Sequence, residues 1–194
     1  MPDLHAQLQQ LLQGCVCLMG IGNVDYTDDG FGVRLAEELK SEGRNPKTEG
    51  SPKSEGRSED LGSICLDFEP RPVFGPRSHV IVAGTTPERV IGRVTQQGFD
   101  HFIFLDAVEF GGAPGSVVLL NSDEITTRYP QISTHKISLG LLAKWAEANG
   151  TTKAWLLGVQ PESIKPGGEL TPAVQATLEL LLELVREVTL EVMA

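Results

Sequence analysis

The sequence predicts an α/β fold, a three-layer sandwich in which helices cover both faces of a mostly parallel, doubly wound central sheet. Two observations support this prediction. The chain contains compact apolar runs that are typical of fully buried strands, and these runs alternate with segments that have helical spacing. This alternation implies right-handed crossovers between parallel strands. The 194 residues exceed the roughly 150 of a typical domain only modestly, so we expect one domain over residues 1–194.

The elements follow one another in the order that such a sheet needs. A short amphipathic helix is predicted over residues 3–13, with Asp3 as N-cap, followed by a strand in CVCLMGIGN and a helix over 31–39. Further strands are predicted at 63–68, 78–84, 101–108, 116–121 and 153–159. Helices are predicted at 87–98, around 123–129, from about 136 to 149, and from Pro172 onward after Thr171 as N-cap.

Residues from about 40 to 77 form a low-complexity insertion. Between Lys40 and Leu61 the chain has no large apolar side chain, and PKTEG is echoed by PKSEG. Such a composition buries too little surface to offset its ordering entropy. We interpret the insertion as a disordered or mobile linker in preference to a tethering arm.

The composition also excludes several classes of partner. A net charge of -10 argues against a surface that binds nucleic acid or anionic lipid, because both require clustered Lys and Arg. Three cysteines do not make a disulfide framework and fit a reducing compartment. The start of the chain does not resemble a signal peptide, and no apolar run approaches the about 18 residues of a membrane helix. We therefore expect a cytoplasmic protein. We also expect the protein to be a monomer.

Polar side chains follow several predicted strands, where ligands bind in open parallel sheets. The set comprises Asn23, Asp25, Asp28, Asp29, Thr85, Thr86, Glu88, Asp106, Glu109, Gln160 and Glu162. His135, at the start of a predicted helix, approaches the same edge. Two carboxylates and an imidazole suit zinc or nickel and leave coordination positions open. Each residue alone also fits a cap or a turn, but their shared placement favours a metal site.

Other sites are less well supported. GIGN resembles the opening of a dinucleotide fingerprint, but Asp25 stands where its third glycine is needed, and no Walker loop, HExxH or GxSxG is present. The remaining candidates have structural interpretations. We expect the cysteines to pack in the core, namely Cys15, Cys17 and Cys65. We expect three histidines to be exposed to solvent, namely His5, His79 and His101. Four glutamates of the last helix are expected to form a solvated face in preference to a docking surface for a basic partner, namely Glu179, Glu183, Glu187 and Glu191.

Several motifs, in order, resemble those of the hydrogenase maturation endopeptidases. They are MGIGNVDYTDDGFGVRLAEEL, GTTPE, IFLDAVEFGGAPGSV, STHKISL, LLGVQPESI and ELTPAV. The resemblance covers most of residues 15–188 outside the insertion, and the DD, GTTPE and STH motifs are most similar to the branch that processes formate-hydrogenlyase-type hydrogenases. It implies an endopeptidase that removes the C-terminal extension of a nickel-iron hydrogenase large-subunit precursor.

The resemblance also implies which residues act. Asp29, Asp106 and His135 match the metal-contacting positions of the family, and the metal is expected to be nickel already loaded into the precursor, with no nucleotide cofactor. The candidate substrate-binding residues are Asn23, Thr86 and Gln160, and Asp28 is a candidate general base by proximity alone. The chain departs from many relatives before GTTPE, where Val82 and Ala83 replace an acidic residue and a glycine.

Two alternatives to an endopeptidase stay open at this point. A non-catalytic metallochaperone or checkpoint module would use the same residues for affinity and leave the precursor uncut. A nucleotide-dependent enzyme is the third possibility, and Asp25 disfavours it because a carboxylate there would repel a pyrophosphate.

Overall fold

The computed structural model describes residues 3–42, 78–128 and 137–193, and these residues form one five-stranded sheet. Its strands are β1 (Val16–Ile21), β2 (His79–Gly84), β3 (His101–Ala107), β4 (Val117–Asn121) and β5 (Lys153–Val159). Across the sheet they lie in the order β2-β1-β3-β5-β4. All neighbouring pairs are parallel except β4 and β5, so β4 is an antiparallel edge strand.

Helices cover both faces of this sheet. They are α1 (Leu4–Leu12), α2 (Phe31–Glu42), α3 (Glu88–Val94), α4 (Ser122–Arg128), α5 (Leu139–Ala146) and α6 (Pro172–Met193). One apolar core joins α1, α2 and α6 to the sheet, and a second core joins α3, α4 and α5 to the opposite face. The predicted three-layer α/β sandwich is therefore confirmed. No helix in the described ranges is both long and apolar enough to pass through a lipid bilayer.

The strand β1 shows why the apolar runs are continuous. Val16 and Leu18 face the core under α1, α2 and α6, whereas Cys17 and Met19 face the other core. A strand that is covered on both faces has no solvent side on which to place polar residues. Burial raises the pKa of the Cys17 thiol, and the neighbouring Cys15 raises it further, which fits the predicted core role of Cys17.

Glycines let α2 lie unusually close to the sheet. A Cβ atom on Gly32 would lie 2.0 Å from the Leu105 carbonyl oxygen and 2.4 Å from that of Ile21. The start of α2 is thereby held directly over the carboxyl ends of β1 and β3. This contact brings the turn that precedes α2, Thr27–Gly30, to the same place.

Several predicted boundaries are wrong by a few residues. The helix α2 continues to Glu42, so the first three residues assigned to the insertion are helical. The helix α5 begins at Leu139, because the Ser138 hydroxyl oxygen caps it by accepting from the Leu141 N–H at 3.3 Å. The predicted strand at 63–68, Cys65 and most of the insertion lie outside the described residues.

The predicted solvent exposure of the three histidines is wrong, because His5 is also only partly exposed, at 29% of its side chain. His79 and His101 are half-buried, since each packs edge-on against an aromatic ring, Phe99 and Trp155 respectively. The indole Nε1 of Trp155 also donates to His101 Nδ1 at 3.3 Å. Burial lowers the pKa of both histidines, opposed by Gln97 beside His79 and by Asp100 beside His101.

Candidate active site

The order of the strands creates a crevice at the carboxyl edge of the sheet. From β1 the chain crosses to β2 on one side, and it later returns to place β3 on the other side of β1. Loops leave β1 and β3 in different directions at such a point, which is where ligands bind in doubly wound sheets. Asp29, in the turn after β1, and Asp106, near the end of β3, flank this crevice.

The carboxylate of Asp29 is buried and held by the backbone. Its Oδ2 atom accepts the Asn23 N–H at 3.0 Å, and the Asp29 carbonyl oxygen accepts the same N–H at 3.2 Å. Asp29 is 6% exposed. Gly22 makes this turn possible, since it has a φ of 136° and a Cβ atom there would lie 1.9 Å from the Asp29 carbonyl oxygen.

Asp106 is held in a similar way from the other side of the crevice. It is 2% exposed, and its Oδ1 atom accepts the Ala107 N–H at 2.8 Å. Two buried carboxylates of fixed orientation thus lie at neighbouring strand ends. They are oxygen donors that suit a metal ion or a cationic group of a substrate. The predicted third ligand, His135, lies outside the described residues.

The side chain of Asp28 has a structural role, and its role as a general base stays a prediction. The residue is completely buried, and its Oδ2 atom accepts from the Glu162 and Ser163 N–H groups at 2.8 and 3.0 Å and from the Thr171 hydroxyl at 3.0 Å. Its Oδ1 atom accepts the Thr171 N–H at 2.7 Å. Both oxygens of this carboxylate are thus engaged by donors from the loop that follows β5. The Thr171 hydroxyl, predicted to cap α6, donates to Asp28.

Asp28 belongs to a wider set of contacts, here called the clasp, between residues 23–34 and the loop 161–171. Thr27 N–H donates to the Lys165 carbonyl oxygen and Asp28 N–H to that of Ser163, each at 3.1 Å, and Gly167 N–H donates to the Asp25 carbonyl oxygen at 2.9 Å. Arg34, on α2, donates to the Gly168 carbonyl oxygen. The clasp fixes the turn that carries Asp29 against the loop after β5.

A cleft of about 370 Å³ opens beside the clasp. Its walls come from the loop after β3 and from the loop after β5. The residues that line it are Glu109, Pro161, Glu162, Ser163, Ile164, Lys165 and Thr171. Glu109 follows Asp106 by three residues, and Thr171 is bonded to Asp28. The cleft therefore adjoins the crevice and carries both acidic and basic groups.

Of the three predicted substrate-binding residues, Gln160 is buried, whereas Asn23 and Thr86 are partly exposed. The side chain of Gln160 is engaged within the protein, and its substrate role stays a prediction. Its Oε1 atom accepts the N–H groups of Phe110, Gly111 and Gly112 at 2.9, 3.0 and 3.2 Å, and its Nε2 atom donates to the Pro161 carbonyl oxygen at 3.3 Å. Its buried side chain shapes the loop after β3. Asn23 Oδ1 accepts the Asp25 N–H at 3.0 Å. Asn23 and Thr86 are half-buried at the crevice edge, and their substrate role stays a prediction.

Three residues that hold the crevice together were not predicted from the sequence. Thr27, Gly32 and Arg34 serve this purpose through contacts with residues far away in the chain. A local signal was available for one of them, because glycines at positions 30 and 32 next to DD indicate a close approach of two backbones.

Comparison with known proteins shows the family of this chain. The family model for HycI, described as hydrogenase maturation protease, matches residues 67–188. The chain belongs to this family. Among the curated proteins, the hydrogenase 2 maturation protease of Escherichia coli K12 is 28% identical over 172 residues, which cover 87% of this chain and 86% of that protein. HoxM of Azotobacter vinelandii, a hydrogenase expression/formation protein, is 28% identical over 177 residues, covering 89% and 70% respectively.

Solved structures of hydrogenase maturation proteases share the fold. The HycI protease of Thermococcus kodakarensis KOD1 matches with a TM-score of 0.69 and 25% identity, over 94% of this chain and 98% of that one. The HybD endopeptidase of E. coli matches with a TM-score of 0.59 and 26% identity, over 89% and 92%. The predicted activity, an endopeptidase of nickel-iron hydrogenase maturation, is confirmed. The alternative of a non-catalytic metallochaperone is not favoured.

Proposed function

We propose that this hydrogenase maturation protease removes the C-terminal extension of a nickel-loaded large-subunit precursor, and that Asp29, Asp106 and His135 contact the nickel that the precursor carries. The observation that carries the proposal is the pair of buried carboxylates, each oriented by a backbone N–H, on either side of the crevice between β1 and β3.

The donor types fit the proposal. Two carboxylates and one imidazole are acceptable ligands for nickel, and three protein ligands leave positions for groups of the precursor itself. Nickel in this position supplies a Lewis acid that polarises a carbonyl or a water. The residues of the protease bind and orient: Asp29 and Asp106 enter the complex already desolvated and aligned, so little reorganisation is needed when the precursor docks.

The cleft beside the clasp is the place where we position the precursor's C-terminal segment. It adjoins the crevice and is of a size that holds a few residues. Glu109, Glu162 and Lys165 line it and offer charged partners to a peptide, whereas Asp28 and Gln160 maintain its walls. Because one copy of the chain supplies both carboxylates and the cleft, we propose that the enzyme acts as a monomer. Its few cysteines and acidic surface support a cytoplasmic location.

The test is incubation of purified enzyme with nickel-loaded precursor, followed by intact-mass analysis of the large subunit. We expect Asp29→Asn, Asp106→Asn and His135→Gln each to slow removal of the extension by about 100-fold or more, because each loses one ligand. The matched control is Asp123→Asn, an exposed aspartate at the start of α4, which we expect to cleave at the wild-type rate.

Nickel-free precursor is the second substrate to be tested, and we expect the wild-type enzyme to leave it uncut. Normal cleavage of loaded precursor by Asp29→Asn would show that the ligand assignment is wrong. Equal cleavage of loaded and nickel-free precursor would show that the nickel is not recognised.

A further inference from the structure

A second group of metal-ligating side chains lies on the helical layer, away from the crevice. It consists of His5 on α1 with Glu187 and Glu191 on α6, and is called here the helix cluster. One ligand atom from each residue lies within 4.8 Å of the other two. The His5 Nε2 and Glu191 Oε2 atoms are 3.3 Å apart. Within the described ranges, this is the one group of three such residues that converge in this way.

The helix cluster is remote from the catalytic crevice. The helix α6 starts at Pro172, directly after the Thr171 that contacts Asp28, and rises 1.5 Å per residue. Glu187 and Glu191 are therefore about 24–30 Å along the helix axis from the clasp. His5 and Glu191 also lie outside residues 67–188, which the family model matches. Two of the three ligands therefore lie outside the region that the family model matches, and Glu187 lies at its end.

Apolar packing holds together the two helices that carry the three side chains. Leu8, Leu11 and Leu12 of α1 and Val185 and Val188 of α6 are buried in the same apolar core. The side chain of Gln9, one turn after His5, donates to Glu191 Oε2 at 3.1 Å. The two helices therefore hold the ligand atoms near one another without a metal, which lowers the ordering cost of binding one.

The charges of the two glutamates favour a cation at this place. Glu187 and Glu191 are four residues apart on one helix, so their negative charges repel each other. On the facing helix, Asp3 occupies the N-cap position of α1 but makes no side-chain cap hydrogen bond. A cation bound by His5 would relieve the repulsion and anchor the first turn of α1 to α6.

We propose that His5, Glu187 and Glu191 bind a divalent transition-metal ion of the zinc type, which cross-links α1 to α6. One imidazole nitrogen and two carboxylates are a donor set that zinc accepts, with water in a fourth position. Calcium and magnesium prefer oxygen ligands throughout and do not match a site that contains a histidine. The role of the ion is to secure the helix formed by the first residues of the chain.

The experiment measures zinc binding to the full-length chain. All variants carry Asp29→Asn and Asp106→Asn, so that the crevice carboxylates do not contribute to the signal. By competition with a chromophoric chelator, we expect this parent protein to bind one zinc ion. Adding His5→Gln should weaken binding at least about tenfold, since a ligand is lost. The matched control, Glu183→Gln, removes one negative charge from the same face of α6 one turn earlier and should bind zinc as the parent does.

A second measurement separates binding from folding. Far-UV circular dichroism in the presence of chelator should be the same for all variants. Zinc should raise the melting temperature of the parent and of Glu183→Gln but not of His5→Gln, because only an ion bound to the folded state stabilises it. The single variant His5→Gln, with an intact crevice, should cleave precursor normally, which keeps this proposal independent of the proposed catalytic site. Absence of zinc binding by the parent, unchanged affinity in His5→Gln, or equal weakening in Glu183→Gln would each overturn the proposal.

Discussion

Asp28 and Asp29 are consecutive carboxylates with different tasks. Both are buried in the turn before α2. The side chain of Asp28 points toward the loop 161–171 and accepts four hydrogen bonds from it, whereas that of Asp29 accepts the Asn23 N–H at the crevice. Adjacent residues in a tight turn direct their side chains differently, so the DD motif supplies one anchor, Asp28, and one carboxylate, Asp29, that we propose contacts the nickel.

This division of roles predicts opposite effects of the same substitution. Asp28→Asn replaces a carboxylate oxygen with an NH₂ group and leaves buried N–H donors without an acceptor, so we expect the free energy of unfolding to fall by about 2–4 kcal/mol. Asp29→Asn should change stability by less than about 1 kcal/mol while slowing cleavage by about 100-fold or more. Urea unfolding of both variants measures the difference. If Asp28→Asn unfolds at the wild-type urea concentration, the clasp does not depend on this carboxylate.

At the scale of secondary-structure elements, the position of the crevice depends on how closely α2 approaches the sheet. Gly32 allows this approach, and Gly20 on β1 faces it, since a Cβ atom there would lie 2.3 Å from the Gly32 carbonyl oxygen. Any side chain at these positions would push α2 and the turn that carries Asp29 outward. The glycines thus connect helix packing to the geometry of the site.

Two glycine-to-alanine substitutions test this connection. Gly32→Ala puts a methyl group against two backbone oxygens that cannot rotate away, so we expect a loss of about 1–3 kcal/mol in the free energy of unfolding and slower cleavage. Gly92→Ala in α3 is the matched control, because its Cβ atom would be 3.4 Å from the nearest atom of Trp145. There alanine should be neutral or stabilise by up to about 1 kcal/mol. Equal stability of both variants would show that α2 can shift without cost.

At the scale of the whole molecule, the sequence predicted the layers and the edge of the sheet where the site lies. Both follow from local patterns: β1 is continuously apolar and β3 is apolar from Phe102 to Leu105, whereas Asp29 lies in the turn after β1 and Asp106 is the second-last residue of β3. The structural roles of the Asp28 and Gln160 side chains did not follow from such patterns. The residues that donate hydrogen bonds to Asp28 are 134–143 positions away in the chain, and those that donate to Gln160 are 48–50 positions away. Which loops meet is set by tertiary packing, and no short segment encodes it.

The whole molecule should also lose stability as the pH falls, through two histidines at the sheet edge opposite the crevice. Burial lowers the pKa of His79 and of His101 in the folded state, whereas unfolded histidine titrates near about 6.5. The unfolded chain therefore binds protons first as the pH falls. The neutral histidines make their full contribution to stability above about pH 6.5, and this contribution is lost as the pH falls through their folded pKa.

Urea unfolding between pH 7.5 and 5.5 should show a smaller loss of stability for a His79→Gln/His101→Gln double variant than for the wild type. Because both histidines lie at the amino ends of β2 and β3, the double variant should cleave precursor normally at pH 7.5. Parallel curves for the two proteins would contradict the assignment and place the acid sensitivity in the carboxylates.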